Sequence, residues 1–213
     1  MRHSMLLRLH LKLCNLIRNN RNRMNLKNHH CTIISNNCAG GFIYHWLGLR
    51  FNSPTINLFI KPNDYIKILE NFDYYFNAET EIFECTNHDK SYPVGEFKTG
   101  VKLWFMHYTS FEDAIKKWRQ RCGRIDKNNL YVIMVERDGC TEDDLLHFDQ
   151  LQYDNKVCIV HKNYDNVKCS YHIPGFERNG EVGQLHHVCN KFNGKRYLDH
   201  FNYVDFLNSN YKE

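Results

Sequence analysis

The chain has 213 residues, enough for one ordinary domain and marginal for two. Hydrophobic residues make up 42% and charged residues 24%, which excludes intrinsic disorder and a fibrous repeat; no run approaches the roughly 18 consecutive apolar residues of a membrane span. The net charge is +4, but removing the seven cations of residues 1–30, where there is no acid, leaves about −3, which argues against a nucleic-acid surface on the rest of the chain.

Those cations are Arg2, Arg8, Lys12, Arg18, Arg21, Arg23 and Lys27. Leu6, Leu9, Leu13, Leu16 and Ile17 fall at helical spacing among them, so residues 1–29 read as a basic amphipathic helix followed by a polar linker through Asn19–Asn28. Arg8, His10 and Lys12 interrupt the apolar positions, and no small-residue cleavage site follows, so this is not a secretory signal. Two readings stand: residues 1–27 rest on an anionic membrane surface, or the helix docks on the domain or a partner.

Residues 30–213 read as a single domain. Cys31–Ser35 is a short β-branched run ending at Asn36-Asn37 and Gly40-Gly41, with a short helix predicted over Phe42–Leu49. Ser53–Ile60 is extended, and Asn63 is the expected cap of a helix carrying Ile66, Leu69, Phe72 and Phe76 on one face. Strands follow at Glu81–Cys85, Tyr92–Phe97 and Val101–His107. Ser110 with Asp113 opens a helix through Phe111, Ile115 and Trp118 that stops at Gly123. Leu130–Glu136 is apolar on both faces, as a central strand covered by helices would be. Thr141 caps a further helix to Leu151, Lys156–His161 is a second central strand, and Tyr197–Leu207 is helical. Alternating strands and helices predict an α/β class, a three-layer α/β/α domain with a mixed, mostly parallel sheet.

Nine cysteines at scattered spacings, with no C-x-x-C, fit neither a disulfide framework nor a structural zinc site. They read as reduced, mostly core residues, which points to the cytoplasm.

In such a sheet ligands sit beyond the carboxyl ends of the strands. Three strand ends carry polar, unusual residues. Ser35, Asn36, Asn37, Gly40 and Gly41 form a turn before a helix, suited to a close approach by an anion; an ordinary tight turn is the alternative, and Cys38 within it is a weaker nucleophile candidate. His107 and Tyr108 close the next strand, with His107 placed as a general base. Trp118, Arg121 and Arg124 lie on the following helix, where two arginines three apart present forked donors to a diphosphate; a solvated basic helix end is the alternative. Glu136 and Asp138, two apart on a loop, have the spacing that shares a divalent cation, Mn or Mg, in many sugar-nucleotide transferases. Trp46, Trp104 and Trp118 are candidates for stacking on sugars, with core packing as the alternative.

The phrases Ser35-Asn-Asn-Cys-Ala-Gly-Gly-Phe-Ile-Tyr44, Ser53-Pro-Thr-Ile-Asn-Leu58, His107-Tyr-Thr-Ser110 and Trp118-Arg-Gln-Arg-Cys-Gly-Arg-Ile125 follow in order. Over residues 30–205 the chain resembles a bacterial family of unknown function whose members are often labelled exopolysaccharide biosynthesis proteins and lie among glycosyltransferase genes. The resemblance implies a cytoplasmic role in assembling a surface polysaccharide. The leading expectation is a glycosyltransferase-like enzyme using a nucleotide-activated sugar or another small-molecule donor. In it the Asn36–Gly41 turn holds the diphosphate or the acceptor, Arg121 and Arg124 neutralise the leaving group, and His107 activates the acceptor. The alternatives are a non-catalytic carbohydrate-binding or scaffolding protein, and a hydrolase or transferase acting on another phosphorylated substrate.

Overall fold

The computed structural model describes residues 2–209, with side chains from Met5 onward. Met1, the Arg2 side chain and residues 210–213, parts of the two segments delineated above, lie outside the described residues. Four parallel strands form the central sheet: β1 (Thr32–Ser35), β5 (Leu130–Val135), β6 (Lys156–Val160) and β7 (Ser170–His172), adjacent in that order. Among the described residues antiparallel strand ladders occur in two separate small sheets. One holds β2 (Ile82–Glu84), β3 (Val94–Phe97) and β4 (Lys102–Trp104); the other is the hairpin of β8 (Val188–Asn190) and β9 (Lys195–Arg196).

Successive side chains of a strand point to opposite faces, and here both faces are apolar. Ile34, Val132, Met134, Cys158 and Val160 pack into a core with α3 (Pro62–Glu70), α5 (Phe111–Cys122), α6 (Glu142–Gln150) and the three-stranded sheet. Ile33, Tyr131, Ile133, Val135, Val157 and Ile159 pack on the other side with α2 (Ala39–Leu47) and α7 (Tyr203–Asn208). The doubly apolar Leu130–Val135 run is thus the central β5, and the architecture is three-layered.

Ser110 and Thr141 cap α5 and α6 as their spacing predicts, Thr141 in a full capping box with Asp144. Asn63 does not cap α3. The helix starts two residues earlier than that cap implies, at Pro62, whose fixed φ and missing N–H suit the first turn, with Lys61 at the cap position. Phe72 falls in a separate turn, α4 (Phe72–Tyr75), beyond a break at Asn71. Ser53–Ile60 pairs only through a single bridge between Phe59 and Trp104, and β4 ends at Trp104, short of His107. Of the nine cysteines, Cys31, Cys122 and Cys158 are buried and the other six half-buried.

The predicted linker is not one. α1 runs from Arg2 to Asn25, through most of the asparagine-rich stretch, because tertiary contacts outweigh the weak helix propensity of Asn. Arg196 donates to Asn19 (2.9 Å), Asn22 donates to the Tyr203 hydroxyl (2.8 Å), and Arg23 donates to the Trp46 carbonyl (2.9 Å). Past the helix, buried Asn28 donates to Asn129, Tyr131 and the Leu207 carbonyl. Among the described residues no helix is long and apolar enough to cross a membrane.

Candidate functional site

A cleft of about 960 Å³ opens at the carboxyl ends of β1 and β5. Its first wall is the turn after β1 and the start of α2. Asn36 lies beyond the strand but extends its pairing with its side chain: the amide donates to the Val135 carbonyl (3.0 Å) and accepts from the Val135 N–H (2.9 Å). Ser35 Oγ donates to the Asn37 carbonyl (2.6 Å) and accepts from the Gly40 N–H (3.1 Å). Gly40 packs so tightly on the strand that a Cβ would lie 2.8 Å from Ser35 Oγ and 3.2 Å from Ile33 Cγ2. Ser35, Asn36 and Gly40 therefore build the turn from behind. Asn37, Cys38 and Gly41 line the cleft, joined by Phe42 and His45 of α2.

The second wall comes from Phe51, Asn57 and Phe59, with Met106 and His107 beyond β4. His107 is exposed, and its N–H donates to the Asn57 carbonyl (3.3 Å), so the two segments are tied at the rim. Phe59 is backed by Trp104, stacked at 5.5 Å and 15°. Lys90 and Tyr92, from the segment before β3, close one end.

The third wall follows β5. The backbone turns left-handed at Asp138 (φ 58°), and the Asp138 N–H donates to Glu181 (2.9 Å). Arg137 bridges from its Nε to Asp138 (3.0 Å) and from Nη1 to the Gly183 carbonyl (3.5 Å), joining this loop to Gly183, Gln184, Leu185 and His186. The His186 ring lies on Phe42 at 4.8 Å, and its buried Nδ1 has no partner. Burial, assisted by His187, holds the His186 imidazole below its ordinary value and so neutral. Burial pushes the Cys38 thiol up, only partly opposed by Arg137, so Cys38 is a thiol and not an activated nucleophile.

The structure brings Asn37, Gly41, His107 and Asp138 to one cleft. Other expected site residues stand elsewhere, and each placement has a physical reason. Arg121 is buried. Its Nη1 donates to the Tyr108 hydroxyl (2.7 Å), which donates in turn to the Ile56 carbonyl (3.1 Å), and its guanidinium sits 5.7 Å from the Phe51 ring. Arg124 donates to the Phe51 carbonyl (3.1 Å). The two arginines and Tyr108 thus hold the 51–57 segment from behind and do not line the cleft. Trp118 is in the core, stacked on Phe76 at 5.6 Å. Trp46 is buried beneath the Arg196 guanidinium, 3.3 Å from its ring centroid, so the cleft's aromatic walls are Phe42, Phe51, Phe59 and Tyr92.

Glu136 and Asp138 do not form a cation pair. Glu136 is buried between β5 and β6, where its carboxylate accepts from the His161 N–H (2.9 Å), meets His161 Nδ1 (2.7 Å) and accepts from the Tyr164 hydroxyl. Asp138 faces the cleft and is paired with Arg137. Among the described residues no group of three or more His, Cys, Asp and Glu side chains is placed to hold a metal ion.

The cleft residues that sequence reasoning passed over include Phe51, Phe59, Lys90, Tyr92, Met106, His45, Phe42, Arg137 and the Gly183–His186 segment. His45 carried a signal, since it stands one helical turn after Gly41 and so shares its face. The last segment carried none, being brought in by tertiary closure alone.

Residues 10–208 match the family model described as Domain of unknown function (DUF1919), and the chain belongs to that family. The match takes in most of α1, which the resemblance had been expected to exclude. The chain is also similar to a protein of Haemophilus influenzae described as an uncharacterized protein, 42% identical over 183 residues, 86% of each chain.

Proposed function

We propose that this cleft binds a nucleotide-activated sugar and that the chain transfers the sugar to an acceptor hydroxyl during assembly of a bacterial surface polysaccharide, on the cytoplasmic side. The observation that carries the reading is the meeting of three strand-end loops on one cleft that offers Arg137, Lys90 and exposed histidines beside aromatic walls. Its volume suits a ligand of that size. Among the described residues Asp138 is the cleft's one carboxylate, and Arg137 offsets it.

In this reading Arg137 and the start of α2 receive the diphosphate, where a guanidinium and a helix N-terminus both favour negative charge. Phe42 and Phe59 stack against the base or the sugar. His107 takes the proton from the acceptor hydroxyl as its oxygen bonds to the anomeric carbon. The bond from that carbon to the diphosphate breaks, and Arg137 meets the charge that develops on the leaving group. Arg121 and Arg124 contribute by fixing the opposite wall.

The test is a thermal-shift panel of UDP, GDP, CMP and ADP, each with and without manganese. A ligand at 100 times its Kd adds about 2.7 kcal/mol, a rise of several degrees for a chain of this size. A nucleotide-selective rise that Arg137→Ala removes is expected, together with transfer lost in His107→Ala while nucleotide binding persists. A flat panel on folded protein overturns the donor assignment and favours a carbohydrate-binding or scaffolding protein.

A further inference from the structure

We propose that the outward face of α1, together with the Phe192 tip of the β8–β9 hairpin, docks the protein onto an anionic lipid bilayer. The helix turns its polar side to the domain: His10, Arg18 and Asn22 all bond to residues of the C-terminal region. On the opposite side Leu6, Leu9, Leu13, Leu16 and Ile17 are 53% to 64% exposed, continued by Met5 and Met24. At the helical repeat these five occupy a sector about 100° wide, which is a full apolar face with nothing among the described residues to cover it.

The hairpin extends that face. Phe192, at its tip, is 89% exposed, the most exposed large apolar side chain among the described residues. The tip is fastened to the helix, because His10 Nε2 bonds to the Phe192 carbonyl (2.8 Å) and Arg18 donates to the carbonyls of Asn193 (2.8 Å) and Gly194 (3.0 Å). Gly194 approaches so closely that a Cβ there would lie 2.8 Å from Cys14 Cβ. Ile17 and Phe192 line one groove of about 750 Å³. Two segments distant in sequence thus present exposed apolar side chains on the same side of the molecule, fastened to each other by these bonds.

Charge selects the occupant. α1 contains no acid. Arg18 and Arg23 are engaged with the domain, which leaves exposed Arg8, Lys12 and Arg21 along the flanks of the stripe, with exposed Lys191 beside Phe192. An apolar face rimmed by cations fits acyl chains beneath anionic headgroups, the helix lying in the plane of the interface. Pairing of α1 with α1 of a second copy would seat the same leucines but set cation against cation, with no carboxylate to answer them.

The test is flotation of the full chain with vesicles of phosphatidylcholine alone and with about one-third phosphatidylglycerol. The expected result is binding to the anionic vesicles, at least about tenfold weaker on the neutral ones and reduced by salt. Leu13→Gln/Leu16→Gln and, separately, Phe192→Ser should each weaken it about tenfold with melting temperature unchanged, since the replaced side chains are exposed. Absence of flotation by folded protein, equal binding to both vesicle types, or unchanged binding in both variants would overturn the proposal. So would a dimer seen by light scattering that the double variant dissociates, without flotation, which would assign the stripe to a second copy. None of these outcomes depends on what the cleft binds.

Discussion

Gly40 and Gly41 are adjacent at the start of α2, yet the structure gives them opposite sensitivities, and substituting each by alanine separates the wall of the cleft from its lining. At Gly40 the new methyl would lie 2.8 Å from Ser35 Oγ and 3.2 Å from Ile33 Cγ2. Neither neighbour gives way readily: Ser35 is pinned by the Asn37 carbonyl and the Gly40 N–H, and Ile33 is fully buried in the central sheet. Overpacking of this kind costs about 1–3 kcal/mol, against a gain of at most about 1 kcal/mol from replacing glycine in a helix. Gly40→Ala should therefore lose about 1–2 kcal/mol, a fall in Tm of roughly 2–8 °C at this size. At Gly41 the nearest atoms, both on Ile56, are 4.0 Å away. Gly41→Ala should melt at or slightly above the wild-type temperature while weakening whatever ligand the cleft takes, because the residue lines it. Calorimetry on the two variants, followed by the nucleotide panel, reads both effects. A Gly40→Ala protein as stable as wild type, or a Gly41→Ala protein as damaged as Gly40→Ala, would refute the packing argument.

Three further outcomes follow from buried or coupled polar groups. Glu136→Ala strips the acceptor from the His161 N–H, His161 Nδ1 and the Tyr164 hydroxyl, and should cost about 3 kcal/mol or more in a denaturant melt, with Glu136→Gln milder because it keeps a partner for part of the set. Arg121→Ala should lose about 1.5–3 kcal/mol through the freed Tyr108 hydroxyl and weaken ligand binding only through displacement of the 51–57 segment, so a folded variant of full stability with turnover abolished would return Arg121 to the reaction itself. Burial holds the imidazoles of His186 and His200 below their ordinary value, with help from His187 and Lys195 respectively. The unfolded chain therefore takes up these protons first as pH falls. Stability is fully present above about pH 6.5 and declines as pH drops from there through the folded-state values. Tm measured from pH 8 to 5 should fall at the acid end, less steeply in His186→Gln, and a pH-independent Tm would contradict the assignment.

The architecture was legible where local signals and tertiary demands agree. A strand apolar on both faces can only be interior, and Leu130–Val135 is; Ser110 and Thr141 cap because their side chains supply the acceptors that the first turns of α5 and α6 lack. Legibility failed where an isolated rule competed with packing. Asn19 and Asn22 read as linker because their propensity is weak, and they are helical because Arg196 and Tyr203 hold them. Asn63 lost the cap to a proline that starts the helix without one.

The site divides along the same line. Strand ends pointed to Asn37, Gly41, His107 and Asp138: the parallel sheet delivers the loops after β1 and β5 to one edge, and His107, beyond the antiparallel β4, is brought to that edge by its bond to Asn57. The residues within the phrases that looked most chemical have another task. Arg121 is on the last turn of α5 and Arg124 lies in the turn beyond it, so helical spacing does not set their relation; together they engage Phe51 and Tyr108. Glu136 and Asp138 would point the same way only on a straight strand, but β5 ends at Val135 and the backbone turns left-handed at Asp138, leaving Glu136 buried against His161 and Asp138 in the cleft. Arg137, between them and outside both readings, is a cation the cleft receives, with Lys90 at its end. A charged residue at such a place therefore answers to a constraint. Whether the constraint is chemistry or the shape of a wall is decided by what the side chain already touches, and for Arg121, Arg124 and Glu136 the answer is the protein itself.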